Sequence, residues 1–156
     1  MSKKSKKVKK ANNTKKRAPK GINWIVHYVT DSICDMCGDN NTPHFKPNLC
    51  NAHTHGLREL YGHPEFQFVL NIGMKTVLPI LNHLGLMVQD GRRFKAGESV
   101  SGIILGYDIR LFEATDNGKK VLRVVVPDQH NRFPDDADCE EVYKLQHLST
   151  KNLMVK

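Results

Sequence analysis

Four residues of types that commonly bind metal ions lie in one short segment of the chain, at the spacing Cys34-x2-Cys37-x12-Cys50-x2-His53. Two pairs, each separated by two residues, can bend into knuckles that present their side chains to a single ion. The segment between them is rich in Asn and Pro, which favour turns, and has few core-forming residues. The spacing therefore predicts a structural Zn²⁺ in a tetrahedral site with three cysteines and one histidine.

Four protein ligands would leave no position for water or substrate, which is typical of a structural zinc site. The fourth ligand is His53 by spacing, with His44 and His55 as alternatives. A metal-free interpretation, in which the cysteines are small buried side chains, stays open. A redox Cys-x-x-Cys motif is disfavoured because no βαβ pattern surrounds the pair.

The N-terminal segment has a composition of its own. Residues 1–20 contain ten Lys or Arg and no acidic residue, whereas the rest of the chain has 14 basic and 16 acidic residues. Closely spaced like charges repel, so we expect residues 1–20 to be disordered when free. Clustered lysines bind polyanions by releasing counterions. Nucleic acid or a ribosome is therefore a possible partner for Lys3–Lys20, while a role in solubility alone is the simpler alternative.

Hydropathy argues against a membrane protein. Apolar runs such as Val124–Val126 are far shorter than the roughly 20 residues that cross a bilayer. The basic N-terminus is not followed by the apolar stretch of a secretory signal. We therefore expect a cytoplasmic protein without a membrane partner.

Residues 21–156 are expected to form one α+β domain that includes the zinc-binding segment 34–53. Alternation from Phe66 to Ile72 predicts a half-buried strand, and apolar residues at spacings of three and four from Met74 to Val88 predict an amphipathic helix. Asn117-Gly118 is the preferred pair for a type I′ hairpin turn. The expected fold is a mostly antiparallel sheet with one main helix and an N-terminal zinc knuckle.

Several phrases match one protein family in order and spacing: Asn51 to Leu57, Tyr61 to Glu65, Asn82 to Leu86, Phe94 to Gly97, Val124 to Asp128 and Asn131 to Pro134. They resemble the bacterial family called domain of unknown function 4262, over roughly residues 50–146. The resemblance implies a small bacterial or phage α+β domain and carries no established activity. The Lys-rich segment lies outside the matching region.

Residue types that active sites use recur at predicted strand ends and loops, namely His55, His63, Glu65, Asp128 and His130. If they converge, His55, His63, Asp128 and His130 could form a second metal site or a general acid–base cluster. The simpler interpretation is that they cap turns, as Asp128 after Pro127 can do by bonding its own backbone. No phosphate loop, nucleophile elbow or dinucleotide fingerprint is present.

Two functional hypotheses follow. The first is a zinc-stabilised binding protein whose folded domain recognises an unknown protein or small molecule while its basic segment binds nucleic acid. The second is a hydrolase-like enzyme that depends on a metal or on the histidine and aspartate cluster. A third possibility is a factor that masks a host protein and needs no chemistry.

Overall fold

The computed structural model describes residues 21–30 and 44–155. Six strands and three helices follow one another in the order β1 (Ile25–Val29), β2 (Leu49–His55), α1 (Leu57–Tyr61), β3 (Glu65–Leu70), α2 (Met74–Gln89), β4 (Ser99–Ile104), β5 (Tyr107–Asp116), β6 (Lys119–Val125) and α3 (Glu141–Lys144). Two short 3-10 helices, Leu145–His147 and Thr150–Asn152, follow α3. The α+β class expected from the sequence is confirmed.

The strands form one mixed sheet in the order β1-β2-β3-β6-β5-β4. All neighbouring pairs are antiparallel except β3 and β6, which are parallel. The parallel pair arises because the chain leaves β3, crosses one face of the sheet as α2, and returns through the β4–β5 hairpin. Asn117 and Gly118 both have positive φ at the β5–β6 turn, as the type I′ prediction requires.

Helix α2 covers one face of the sheet. The periodic residues predicted to face the core are buried, among them Val77, Leu81, Leu84 and Val88. They pack against residues at alternate positions of the strands, which point to the face of the sheet under α2: Ala52, Phe66, Phe68, Leu111, Leu122 and Val124. Pro79 lies in the second turn of α2.

The other face of the sheet is partly covered by the C-terminal residues. Leu153 packs with Phe45, Leu49 and Val69 in a smaller apolar cluster. Strand β3 is consequently buried on both faces, with Gln67 and Val69 fully buried. The sequence predicted that only one face of this strand is buried, and that prediction was wrong. The local pattern does not show that C-terminal residues fold over the face opposite α2.

Among the described residues, α2 is the longest helix at 16 residues, and no helix is both long and apolar enough to cross a bilayer.

Trp24 joins the segment before β1 to α2. Its indole Nε1 donates a hydrogen bond to Asn82 Oδ1 at 3.1 Å, and its ring lies on Gly85. A Cβ atom at Gly85 would meet Trp24 Cζ2 at 2.5 Å and Cε2 at 2.6 Å, which is closer than van der Waals contact permits. The glycine therefore gives the indole room against the helix.

We predict that Gly85→Ala destabilises the protein by up to about 2 kcal/mol, because overpacking costs about 1–3 kcal/mol and the better helix propensity of alanine returns only about 1 kcal/mol. Urea unfolding measures the change. In a Trp24→Ala background the same substitution should stabilise the chain. Stabilisation by Gly85→Ala in the otherwise unaltered chain would contradict this packing.

Candidate functional site

A row of polar and aromatic side chains crosses the sheet on the face opposite α2. Strand register places His27 opposite His53, His53 opposite Gln67, Gln67 beside Arg123 and Arg123 opposite Phe112. Five strands thus contribute one residue each. Charged and hydrogen-bonding groups at the centre of a sheet require partners from outside the sheet, and the C-terminal residues provide them.

Arg123 is the centre of this row and is only 4% exposed. Its Nε and Nη2 both donate to Gln67 Oε1, at 2.9 and 2.8 Å. The remaining donors bind the C-terminal segment, through the carbonyls of Gln146 and Leu148 and the hydroxyl of Thr150. Burial lowers the pKa of Arg123 to about 10, against the opposing effect of Asp116, so the guanidinium stays charged at neutral pH.

A cavity of about 800 Å³ lies next to this row. Its apolar wall contains Phe45, Leu153 and Met154, and its polar wall contains Asn51, His53, Asp116, Arg123 and Thr150. The size and the mixed lining are those of a small-molecule pocket, in which a few placed polar groups orient a ligand against apolar surface.

The tip of the β5–β6 hairpin reaches over the sheet to β2, although β3 and β6 lie between β2 and β5. Asn51 Nδ2 lies 3.4 Å from Asp116 Oδ2, and His53 Nδ1 lies 3.8 Å from the same oxygen. Thr150 fixes the hairpin by donating a hydrogen bond of 2.6 Å to the carbonyl of Thr115. This contact closes one side of the cavity and brings a carboxylate to an imidazole.

Three histidines lie near one another on strands β1 and β2, and one of them, His53, lines the cavity. The ring centroid of His27 lies 5.2 Å from that of His53 and 5.6 Å from that of His55. Burial lowers the pKa of His53, and the neighbouring His27 and His55 act in the same direction, whereas Asp116 opposes them. His53 is therefore a neutral imidazole at neutral pH.

The predicted zinc ligands are only partly described. Cys34 and Cys37 lie outside the described residues, so their role as ligands stays a prediction. Cys50 and His53 belong to strand β2, and not to the knuckle that their spacing predicted. Side chains three residues apart in a strand point to opposite faces. Cys50 accordingly faces the α2 core, whereas His53 faces the cavity.

The thiol of Cys50 lies inside the core beneath α2. Its Sγ lies 3.8 Å from the carbonyl oxygen of Phe68 and is fully buried. Burial raises the pKa of this thiol to about 11, which keeps it protonated at neutral pH. In this fold Cys50 and His53 lie in a strand and point to opposite faces of it, where the sequence predicted a second knuckle, and the zinc site itself stays a prediction. Of the two alternatives for the fourth ligand, His44 immediately precedes Phe45 in the chain. His55 lies on the same face of β2 as His53.

The residues proposed as a catalytic cluster do not converge. His63 precedes β3 and Asp128 follows β6, and because these strands run parallel the two residues lie at opposite ends of the sheet. His55 is exposed on the face opposite the α2 core, and His130 is exposed beyond β6. The shared pocket that the sequence suggested is therefore absent from the described part of the chain.

His63 and Glu65 have structural partners. The ring of His63 is buried against Phe66 and Phe94; its Nδ1 lies 2.7 Å from the carbonyl oxygen of Pro64, and its Nε2 accepts the Phe94 N–H at 3.0 Å. Burial lowers its pKa, so the ring is neutral. Glu65 accepts the N–H groups at the start of α1 and the hydroxyl of Thr54.

Asp128 organises the loop after β6. Its carboxylate accepts backbone N–H groups of His130, Arg132 and Glu140 and the Nε–H of Arg132. Burial would raise the pKa of this carboxyl, but these hydrogen bonds outweigh burial and hold the pKa well below its usual range. Asp128 therefore stabilises a turn by binding nearby backbone, as the simpler interpretation of the sequence suggested.

Local sequence patterns do not identify most of the residues that line the cavity. Asp116, Arg123 and Thr150 belong to no motif, Asn51 was noted only as the first residue of a family-like phrase, and the four are separated by up to 99 positions. One signal was present: Arg123 interrupts the apolar run from Val121 to Val126, and a charged residue inside a buried strand requires a specific partner.

Comparison of the chain with protein-family models, with curated proteins and with solved structures gives no match. The resemblance to the domain of unknown function 4262 therefore stays a prediction. In the described residues, no group of three or more His, Cys, Asp or Glu side chains is arranged so that it could hold a metal ion.

Proposed function

We propose that the protein is a small cytoplasmic binding protein whose folded domain takes a small ligand in the cavity beside Arg123 and His53. The observation that carries the proposal is the convergence of the polar side chains of Asn51, His53, Asp116 and Thr150 on a cavity of about 800 Å³ with an apolar wall. The ligand that fits this lining has an apolar part and at least one hydrogen-bonding group.

The geometry of the polar side chains at the cavity favours ligand binding over catalysis. Asp116 and His53 are 3.8 Å apart, which is longer than a hydrogen bond, and Arg123 uses its donors on protein acceptors. The alternative enzyme, built on His55, His63, Asp128 and His130, has no support in the geometry because those residues lie apart. Zinc bound through Cys34 and Cys37 remains part of the proposal.

We predict that filling the cavity abolishes ligand binding. Ala114 lines the cavity from strand β5, and Ala114→Phe places a ring in it. A small-molecule library should contain compounds that raise the unfolding temperature of the unaltered protein and not that of Ala114→Phe. Ser99→Phe, at an exposed position of β4, is the matched control and should retain binding. Compounds that stabilise Ala114→Phe equally would contradict the proposed pocket.

The second part of the proposal is that Lys3–Lys20 bind nucleic acid through phosphates. If the segment makes six to ten phosphate contacts on duplex DNA, raising the salt concentration from 50 to 200 mM should lower its affinity by about 10³- to 10⁵-fold. Replacing the ten basic residues of segment 1–20 by Gln should abolish salt-sensitive binding to DNA or RNA, whereas an all-arginine version should preserve it. Undiminished binding by the glutamine variant would exclude this role.

A further inference from the structure

We infer that the ligand of the cavity is an organic amine, bound as its ammonium ion by the carboxylate of Asp116. The inference rests on the ligand pocket proposed above and names the polar group that the ligand carries. Asp116 lines the cavity at the end of strand β5, and its side chain is only 12% exposed. A carboxylate so far removed from water requires hydrogen-bond donors, which come either from the protein or from a ligand.

The protein itself supplies few donors to Asp116. Asn51 Nδ2 is the one hydrogen-bond donor to this carboxylate among the described residues, and it lies at the long distance of 3.4 Å from Oδ2. His53 Nδ1 lies 3.8 Å from the same oxygen, which is beyond the length of a hydrogen bond. The other oxygen, Oδ1, has no hydrogen-bond partner within residues 21–30 and 44–155.

Asp128 shows how this fold satisfies a buried carboxylate that has a structural role. Its side chain is fully buried and accepts four hydrogen bonds of 3.1 Å or less, two on each oxygen. The donors are the backbone N–H groups of His130, Arg132 and Glu140 and the side chain of Arg132, which also balances the charge. Asp116 has one long hydrogen bond in place of these four, and the missing donors point to a ligand.

No cation near Asp116 contacts its carboxylate in the described part of the chain. Arg123 directs its donors to other acceptors. Lys119, opposite Asp116 in the hairpin register, and Lys151, on the cavity wall, are exposed and form no ion pair with it. His53 is neutral because burial lowers its pKa. A ligand ammonium group, with three donors and a positive charge, would supply both the hydrogen bonds and the charge that this carboxylate lacks.

The rest of the cavity fits the apolar part of such an amine. Phe45, Leu153 and Met154 form the apolar wall. An aromatic or alkyl group packed on this wall removes apolar surface from water while the ammonium group binds Asp116. An anionic ligand would instead meet a like charge, and a neutral alcohol would leave the carboxylate without a cation.

The test uses the full chain with benzylamine, phenethylamine and tryptamine as probes, each compared with an alcohol and a carboxylate that carry the same ring. Calorimetric titration should show an amine that binds at least about tenfold tighter than the matching alcohol, which is the effect of a charge-assisted hydrogen bond. The carboxylates should not bind. This comparison is made on the unaltered chain and requires no variant.

Asp116→Asn keeps the shape of the side chain and removes its charge, so the preference for amine over alcohol should fall to about one. Glu113→Gln is the matched control and should keep the preference. Glu113 also lines the cavity, but its carboxylate is exposed and forms an ion pair with Lys120. Unfolding temperatures of both variants establish that they are folded.

The outcomes distinguish this inference from the pocket on which it rests. Alcohols or carboxylates that bind the unaltered chain as tightly as the amines, and do not bind Ala114→Phe, would overturn the amine and leave the pocket standing. Amines that bind Ala114→Phe equally well would overturn both. Absence of binding by every amine, or an undiminished preference in Asp116→Asn, would also overturn the inference.

Discussion

The buried guanidinium of Arg123 holds the cavity face of this protein together. A charged group in the interior loses its hydration, at a cost of several kcal/mol, unless hydrogen bonds replace the water. Among the described residues Arg123 forms no ion pair with a carboxylate; a glutamine from the neighbouring strand, two backbone carbonyls and a hydroxyl take its place. Because three of these acceptors lie in the C-terminal segment, satisfying the arginine requires this segment to fold over the sheet.

The remaining features of the cavity follow from this constraint. Thr150 accepts a hydrogen bond from Arg123 and donates its own to Thr115, which fixes the β5–β6 hairpin above the sheet. The hairpin carries Asp116, which then reaches Asn51 and His53 on β2. A single buried cation thus positions the C-terminus, the hairpin and, through them, the polar wall of the cavity.

Elements defined by local patterns could be predicted from the sequence. The apolar spacing from Met74 to Val88 predicted α2, and Asn117-Gly118 predicted the hairpin, since both signals act over a few residues. Spacing was a poor guide at Cys50 and His53. A pair separated by two residues suits a knuckle, but the same residues in a strand point to opposite faces. Whether these residues form a knuckle or a strand depends on pairing with β1 and β3, which is tertiary structure and not a local property of the sequence.

The candidate site illustrates the same limit. His63, Glu65 and Asp128 are residue types that catalyse reactions, yet each has its polar atoms engaged by nearby backbone. Composition cannot distinguish a carboxylate that binds substrate from one that caps its own loop. The residues that do meet, such as Asn51, Asp116 and Thr150, meet through sheet order and a curled hairpin, for which no local pattern exists.

The unfolding free energy of Arg123→Lys tests this account most directly. Lysine keeps the charge but has three donors where arginine has five, and it cannot reach Gln67 and the C-terminal carbonyls at once. Urea titration should show a loss of about 3 kcal/mol or more. Arg110→Lys, at an exposed ion pair with Asp135, should lose under about 1 kcal/mol. Equal, small losses for both variants would contradict the central role of Arg123.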